Sequence, residues 1–282
     1  MTAAVAEALP AYFDFVRRLV AERAAIVLDA TKLYLVDARV MPVAARHGFD
    51  SIAAMVSAIR SRPFGLIHEE IIEALTTNET SFFRDVTPFE ALKKTILPEL
   101  IQKRGAQREL SIWSAACSSG QELYSIALML RESFPTLGSW KVNLLGTDYS
   151  TQMIERAASA VYNQSEVNRG LPASYLVKYF QRQGLQWRLS DSIRTMTTWR
   201  RLNLIEPWSS VVAPMDVVFL RNVLIYFSPD DKKKVLAQVR KVLRPDGCMF
   251  LGGAETTMKL DDSFERFPCD GAVCYRLKGG CT

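Results

Sequence analysis

Residues 10–75 carry apolar side chains at helical spacing and show no strand pattern. The apolar positions that recur at this spacing are Phe13, Val16, Leu19, Val20, Leu33, Leu35, Val36, Val40, Ile52, Met55, Val56 and Ile59. Such spacing puts the apolar residues of each segment on one helix face. An Arg-Pro-Phe-Gly stretch at 62–65 predicts a break before a last helix, and Pro42 is expected to kink or end the second helix. We therefore predict an all-α N-terminal domain over residues 1–76.

From residue 110 onward, short apolar runs rich in β-formers alternate with helical segments. The runs at 110–113 and 142–146 predict strands, and each is followed by a helix. The nearly continuous apolar run at 215–222 is typical of a central strand in a parallel sheet. Strands that alternate with helices predict an α/β doubly wound domain, which we place at 77–282.

This second domain departs from simple strand–helix alternation in an insertion before the central strand and in two strands near its end. Residues 186–199 alternate only roughly between apolar and polar positions, which predicts a small antiparallel β insertion at 174–200. After the central strand, Ser228 starts a helix that runs to Leu243. Strands are then predicted at 248–252 and 272–277.

The clearest chemical signal is LSIWSAACSSGQELYS at 110–125, a strand, a loop of small residues and a helix start. Backbone N–H groups and the positive end of a helix meet a ligand in this geometry. Asp148 ends the next strand, where nucleotide-binding α/β folds bind a ribose diol. Because the loop lacks the GxGxxG glycines, a nucleoside ligand fits it better than a dinucleotide pyrophosphate.

A structural alternative exists for the helix start. Ser119, followed three residues later by Glu122, has the spacing of a capping box. In such a box the glutamate only satisfies backbone groups at the helix end. Both interpretations of Glu122 stay open at this point.

The polar segment TTNETSFFRD at 76–85 also allows two interpretations. It is either an interdomain turn whose phenylalanines anchor it, or a loop that faces the nucleotide loop and lines a site. Just beyond it, the Thr-Pro-Phe-Glu sequence at 87–90 predicts a capping box and the start of a helix.

Composition excludes several classes of protein. The chain has 282 residues, 49% of them apolar, and a net charge of +5 that is spread along its length, so nucleic acid is not an expected partner. No apolar run reaches the roughly eighteen residues of a membrane span, and the N-terminus lacks a basic signal region, so we expect a cytoplasmic protein without membrane insertion. The five cysteines include no CxxC pair, which predicts idle thiols and no metal site.

Four segments together resemble one family, the chemotaxis receptor glutamate O-methyltransferases (CheR). They are TNETSFFRD, WSAACSSGQELYSIA, LLGTDYS and VFLRNVLIYFS, and the likeness extends to YLVDAR at 34–39. The resemblance implies a Rossmann-like class I methyltransferase domain with a small antiparallel β insertion, preceded by an all-α domain. It further implies methyl transfer from S-adenosylmethionine to glutamate carboxylates of chemoreceptors, with S-adenosylhomocysteine as product.

The resemblance also implies roles for individual residues. Positions that match cofactor contacts of the family are Asn78, Thr80, Arg84, Glu122, Asp148, Asn203, Leu204, Arg221 and Asn222. Arg84 and Tyr226 match the pair beside the transferred methyl, although Tyr226 also fits a core aromatic. Arg39 and Arg46, seven residues apart, would share a helix face if Pro42 only kinks the helix. They are then candidates for docking to receptor helices or are solvated surface charges.

The chain departs from the family pattern in three places. Gln121 and Leu123 replace an acid and a proline, and the helix after YLVDAR is poor in arginine. The insertion is short around Gln183-Gly184, which speaks against the C-terminal peptide tether that some members bind. Alternatives are therefore a cofactor-binding regulatory or scaffolding module with little turnover and a methyltransferase for another substrate. Nothing in the sequence requires an oligomer, so we expect a monomer.

A carboxylate acceptor agrees with the scarcity of histidine. The chain has only His47 and His68, both far in sequence from the nucleotide motif. A glutamate side chain with a pKa near 4.3 is already ionised at neutral pH and needs no general base.

Overall fold

The computed structural model describes residues 9–208 and 214–280, and the chain forms two compact units. The first runs to Thr77 and includes Tyr226–Asp231. The second comprises Asn78–Ile225 and continues from Lys232. The predicted spans of 1–76 and 77–282 did not anticipate that residues 226–231 group with the N-terminal part of the chain.

The first unit is helical, as predicted. Its helices are α1 (Ala11–Ala24), α2 (Leu33–Arg46), α3 (Ile52–Ile59) and α4 (Leu66–Leu75), with a short 3-10 turn at Ala30–Lys32 before α2. Pro42 was predicted to kink or end α2. The helix continues through Pro42, so the second outcome is wrong, while the kink stays a prediction. Val40, Val43 and Ala44 are buried on either side of the proline. Their burial favours continuation because helix stability in proteins comes mainly from packing of the apolar face.

Side-chain contacts fix the ends and the pairing of these helices. The Ser51 hydroxyl accepts a hydrogen bond from the Ala54 N–H and caps α3. Tyr12 of α1 donates to Asp37 of α2 at 2.7 Å, and burial raises the pKa of Tyr12 to about 12. The phenol is therefore neutral at physiological pH and acts as a donor.

The second unit is built on a seven-stranded sheet. Its strands are β1 (Glu109–Ala115), β2 (Lys141–Asp148), β6 (Thr197–Arg201), β7 (Met215–Leu220), β8 (Leu243–Leu251), β9 (Phe264–Cys269) and β10 (Ala272–Leu277). The strand order is β6-β2-β1-β7-β8-β10-β9, parallel from β6 to β8 and antiparallel beyond. Every residue of β7 is buried, as its continuous apolar sequence predicts.

Helices surround this sheet. They are α5 (Thr87–Ala91), α6 (Leu97–Lys103), α7 (Gln121–Ser133), α8 (Thr151–Ser159), α9 (Gln164–Asn168), α10 (Ala173–Tyr179), α11 (Asp191–Arg194) and α12 (Pro229–Val242), with a π turn at Leu92–Ile96 and a 3-10 turn at Pro135–Ser139. The Ser150 hydroxyl caps α8 by accepting from Met153 N–H. Ser228 likewise accepts from the Asp231 N–H at the start of α12, as predicted.

The predicted capping box at 87–90 is wrong, although a helix does begin at Thr87. Val86 is the N-cap residue and contributes no side-chain bond. The Thr87 hydroxyl instead donates to the carbonyl of Asp85. The turn before the helix already brings Thr87 into helical geometry, so its side chain cannot reach forward to cap.

The small antiparallel sheet exists, but the predicted bounds of 174–200 are wrong. It consists of β3 (Val161–Asn163), β4 (Phe180–Gln183) and β5 (Gln186–Leu189), in the order β3-β5-β4. Residues 197–201 instead pair with β2 as the edge strand of the main sheet. Periodicity cannot distinguish these outcomes, because a strand alternates in the same way whichever sheet it joins.

The strand β9 was not predicted from the sequence. It contains Pro268 and the charged residues Glu265 and Arg266, a pattern that reads as a loop. Because β9 lies at the edge of the sheet, it tolerates a proline that lacks a backbone donor.

The direction of chain progression reverses between β1 and β7. From β1 the chain moves to β2 and then β6 on one side, and later returns to β7 and β8 on the other. In open α/β sheets, ligands bind at the carboxyl ends of the strands at such a switch point. The candidate site lies there.

Candidate active site

The loop after β1 has an unusual backbone. Ala116, Ser118 and Gly120 have positive φ angles of 55°, 50° and 93°. A Cβ on Gly120 would lie 2.9 Å from the Ala157 Cβ and 2.9 Å from the Trp199 ring. The left-handed geometry and this close approach both require glycine at the start of α7.

Asp148, at the end of β2, is fixed by two backbone amides of this region. Its Oδ2 accepts from Ser118 N–H at 2.8 Å, and its Oδ1 accepts from Ser150 N–H at 3.0 Å. The residue is 7% exposed. These two hydrogen bonds orient the carboxylate at the end of β2. A carboxylate at this position accepts hydrogen bonds from a ribose diol in nucleotide-binding α/β folds, so Asp148 fits the ribose of S-adenosylmethionine.

Glu122 does not cap α7, so the capping-box alternative is wrong. The N-cap residue is Gly120. Glu122 Oε1 instead accepts from the Ser114 hydroxyl at 2.8 Å, and Oε2 accepts from Arg221 Nη1 at 2.8 Å. These contacts turn the carboxylate toward β1 and β7, where a cationic ligand group would meet it.

Arg221, which follows β7, connects three parts of the site. Its side chain is 1% exposed. Besides Glu122, it binds the carbonyl of Arg84 at 2.9 Å and the carboxylate of Asp85 at 2.7 Å, both through Nη2. Its buried Nε has no partner within the described part of the chain. Arg221 therefore attaches the loop at 78–85 to the first turn of α7, while its predicted contact with the cofactor stays a prediction.

Both interpretations of the loop at 78–85 have support. Phe82 is fully buried and packs edge-on against Tyr162 and Phe180, which is the anchoring role. The carbonyl of Asn78 accepts from the Ser118 hydroxyl at 2.7 Å, so the loop also contacts the nucleotide loop. Arg84 is half-buried, and its Nη1 donates to the carbonyl of Glu79 at 2.9 Å.

Other predicted cofactor positions lie at the same edge of the sheet. Leu202 N–H donates to the carbonyl of Asp148 at 2.9 Å, so Asn203 and the buried Leu204 follow directly after a contact with that strand end. Asn222 comes directly after Arg221 and has a φ of 59°. Thr80 lies half-buried in the loop at 78–85.

Three predicted residues belong to the first unit, and their roles stay predictions. The carbonyl of Tyr226 accepts from Val27 N–H at 2.9 Å. Arg39 donates to the carbonyl of Thr76, and Arg46 forms an ion pair with Glu70.

The thiol of Cys117 lies among the carboxylates of the nucleotide loop. Burial raises its pKa, and the negative charges of Asp148 and Glu122 raise it further. The thiol is therefore neutral at physiological pH and is not a nucleophile.

The sequence did not reveal several residues that shape this edge. They are Asp85, the backbone amides of Ser118 and Ser150, and Glu255, whose carboxylate accepts from backbone amides after β7. A signal for Glu255 was present, because an acidic residue follows Gly252-Gly253 at the end of a predicted strand.

None of the helices within residues 9–208 and 214–280 combines the length and the apolar character that a membrane span needs. No group of three or more His, Cys, Asp or Glu side chains in these ranges could hold a metal ion.

Comparison with known proteins shows two matches to one family. Residues 78–273 match "CheR methyltransferase, SAM binding domain", and residues 11–76 match "CheR methyltransferase, all-alpha domain". The TehB-like SAM-dependent methyltransferase from Corynebacterium glutamicum, a solved structure, covers 69% of this chain and 97% of its own, with a TM-score of 0.37 and 12% identity.

Curated relatives match over nearly their full length. Chemotaxis protein methyltransferase 1 of Pseudomonas aeruginosa is 39% identical, covering 94% of this chain and 97% of the relative. Chemotaxis protein methyltransferase Cher2 of Pseudomonas putida is 36% identical, with coverages of 94% and 98%. The Escherichia coli chemotaxis protein methyltransferase is 31% identical, with coverages of 95% and 91%. The chain therefore belongs to the CheR methyltransferase family, and its cofactor is S-adenosylmethionine.

Proposed function

We propose that this protein transfers the methyl group of S-adenosylmethionine to glutamate side chains of chemotaxis receptors in the cytoplasm, forming methyl esters. The names of its relatives support the chemotaxis pathway. The observation that carries the carboxylate acceptor is the arginine-bearing loop at 78–85, which Arg221 attaches to the acidic residue Glu122. The second unit, which contains this loop, has no histidine in its sequence.

Methyl transfer to an ionised glutamate requires no proton transfer by the protein. When bound, the cofactor supplies a methyl group activated by a positive sulfur. One C–O bond forms, one C–S bond breaks, and its electron pair stays with sulfur, so the two opposite charges disappear without movement of a proton. An ionised glutamate is a competent nucleophile at neutral pH. The protein contributes positioning and partial desolvation of the reactants.

Each site residue has a defined part in this proposal. Asp148 binds the ribose and Glu122 the amino group, since both carboxylates are already oriented by the fold. Arg84 orients the acceptor carboxylate by a charge-assisted hydrogen bond, and its bond to the Glu79 carbonyl restricts the guanidinium. Tyr226 donates a hydrogen bond near the reacting oxygen.

Receptor docking is assigned to the first unit. Arg46 is the better placed of the two predicted arginines, because its side chain is 59% exposed even though it forms an ion pair with Glu70. Arg39 is half-buried and bound to the carbonyl that ends α4. In the small sheet, β4 and β5 are joined by only Gly184 and Leu185. This short turn supports action without the peptide tether. The proposal treats the protein as a monomer, because nothing in the sequence requires an oligomer.

The test is transfer of labelled methyl to receptor-containing membranes, followed by mild alkali. Carboxyl methyl esters release volatile methanol under these conditions, whereas N-methyl and ether products do not. We expect Arg84→Ala to lower the rate about 100-fold, a typical loss for one electrostatic contact at a reacting centre. Arg131→Ala is the matched control, because Arg131 is an exposed arginine at the far end of α7.

Three outcomes would contradict the proposal. Clear cofactor binding without any receptor label would favour the regulatory or scaffolding alternative. Label on another substrate would favour the second methyltransferase class. Alkali-stable label would exclude a carboxyl ester.

A further inference from the structure

The carboxylate of Glu255 accepts hydrogen bonds from four backbone amides. Its Oε2 accepts from Gly252 N–H at 2.7 Å and Asn222 N–H at 2.8 Å. Its Oε1 accepts from Val223 N–H at 2.9 Å and Ile225 N–H at 3.3 Å. The residue is 9% exposed. One side chain therefore satisfies the backbone donors of both strand ends, β7 and β8.

The backbone that it binds is closely packed and begins in a left-handed conformation. Asn222 has a φ of 59°, a region that asparagine enters more readily than other residues with a Cβ. A Cβ on Gly252 would lie 2.7 Å from Asn222 Nδ2 and 2.8 Å from Glu255 Oε2. Glycine at 252 is thus required for the carboxylate to reach the amides of the 222–225 segment.

Packing alone does not hold this segment. Ile225 is exposed and Val223 is half-buried, while Leu224 is buried. Without the Glu255 carboxylate, the backbone amides of Asn222, Val223 and Ile225 would lose their acceptor, and so would the amide of Gly252. The Gly252 amide is buried, so the loss of its acceptor carries the full desolvation cost. The amides of Asn222, Val223 and Ile225 are partly exposed and can exchange Glu255 for water, which would release the segment from its conformation.

We propose that Glu255 is a positioning residue of the cofactor site. Its carboxylate holds residues 222–225 in the conformation that binds S-adenosylmethionine, directly after the buried Arg221. Glu255 touches none of the reacting atoms and acts through the backbone. This role concerns the cofactor, so it holds whichever acceptor the enzyme methylates.

The experiment measures binding of S-adenosylhomocysteine to Glu255→Gln by calorimetry, below the thermal transition. In this variant the amide NH₂ of glutamine replaces one carboxylate oxygen of Glu255. It faces backbone N–H groups and cannot accept their hydrogen bonds. We expect the affinity to fall about 10- to 100-fold, equivalent to the loss of one or two hydrogen bonds to a charged group. Backbone amide exchange at 222–225 and at Gly252 should accelerate in the same variant.

Two controls separate positioning from general stability. Glu265→Gln makes the same chemical change at an exposed position in β9. Leu100→Ala removes a buried side chain from α6 and lowers stability without touching the segment. Both control variants should bind S-adenosylhomocysteine with an affinity within about twofold of that of the unaltered protein. Of the three variants, only Glu255→Gln should raise the cofactor KM more than it lowers kcat.

The proposal is overturned if Glu255→Gln binds within twofold of the unaltered protein, or if Leu100→Ala loses as much affinity. Should Glu255→Gln fail to fold, amide exchange in the unaltered, ligand-free protein decides. The amides of Asn222, Val223 and Ile225 should then exchange as slowly as those of β7. Exchange at the rate of an exposed loop would overturn the proposal.

Discussion

The parallel strands of the main sheet have a carboxyl edge, where the strands end, and an amino edge, where they begin. At each of these two edges an arginine lies between two carboxylates. At the carboxyl edge, Arg221 binds Glu122 and Asp85 with N···O distances of 2.8 and 2.7 Å. It also binds the carbonyl of Arg84. This arginine therefore connects a helix start to an irregular loop.

At the amino edge, Arg104 at the end of α6 performs a similar connection. Its Nε donates to Asp216 at 2.9 Å, and its two Nη atoms bind Asp246 at 2.9 and 2.6 Å. Asp216 is 1% exposed and also accepts from Ser111 N–H. The hydrogen bond from Arg104 holds the pKa of Asp246 below its ordinary value.

A buried ion pair therefore does not by itself mark a functional site. At the amino edge, Arg104 joins α6, β1 and β7, which are regular elements, to the 245–247 stretch of β8. At the carboxyl edge, Arg221 joins a loop in which Phe83 and Asp85 have positive φ angles. In parallel sheets the ligand crevice lies at the carboxyl ends of the strands. We therefore expect the same chemical arrangement to position the candidate site around Arg221 and to stabilise the fold around Arg104.

Arg104→Ala should produce the largest effect, and on stability alone. Removing the arginine leaves the buried Asp216 with the longer 3.4 Å ion pair to Arg244 and the hydrogen bond from Ser111 N–H. The expected cost is therefore about 3 kcal/mol, the lower end of the range for a broken buried pair. Urea unfolding measures the loss, with the neighbouring Lys103→Ala as control. S-adenosylhomocysteine affinity, measured below the transition, should not change. A large loss of affinity would break the assignment of this edge to stability.

Arg221→Ala should lower S-adenosylhomocysteine affinity about 100-fold, or about 2.7 kcal/mol. The reason is that Glu122 and the loop at 78–85 both lose their common partner. Calorimetry measures the effect at a temperature where the variant is folded. Affinity within about threefold of the unaltered protein would show that the carboxyl-edge arginine is only structural, like Arg104.

Asp246→Asn should give the smallest effect, and one that depends on pH. Because the folded-state pKa of Asp246 is lowered, its ionised form stabilises the fold above the unfolded pKa near 3.9. That contribution is lost as pH falls through the lower folded value. The variant should thus be less stable at pH 7 by about 1 kcal/mol.

The check on this prediction is urea unfolding of both proteins at pH 7 and pH 3. The difference in unfolding free energy should shrink at the lower pH, while the exposed control Asp262→Asn shows no such trend. A difference that stays constant with pH would mean that the Arg104–Asp246 pair does not contribute through its charge.

Local patterns in the sequence predicted much of this molecule. Helical spacing identified the first unit, and the apolar run at 215–222 identified the central strand. The strand–loop–helix at 110–125 and the acid at Asp148 predicted a cofactor site, and the structure brings these segments together at the carboxyl ends of β1 and β2. These features depend on neighbouring residues, so the sequence alone determines them. The family resemblance supplied site residues such as Arg84 and Tyr226, whose catalytic pairing stays a prediction.

Only the tertiary structure decided which side chains act together. Glu122 could cap its own helix by local pattern, yet it binds Arg221, 99 positions away. Residues 197–201 pair with β2 and not with the small sheet, and Glu255 meets amides some thirty positions before it. Strand order brings these groups together. A local pattern carries no information about strand order, because periodicity is the same for any partner.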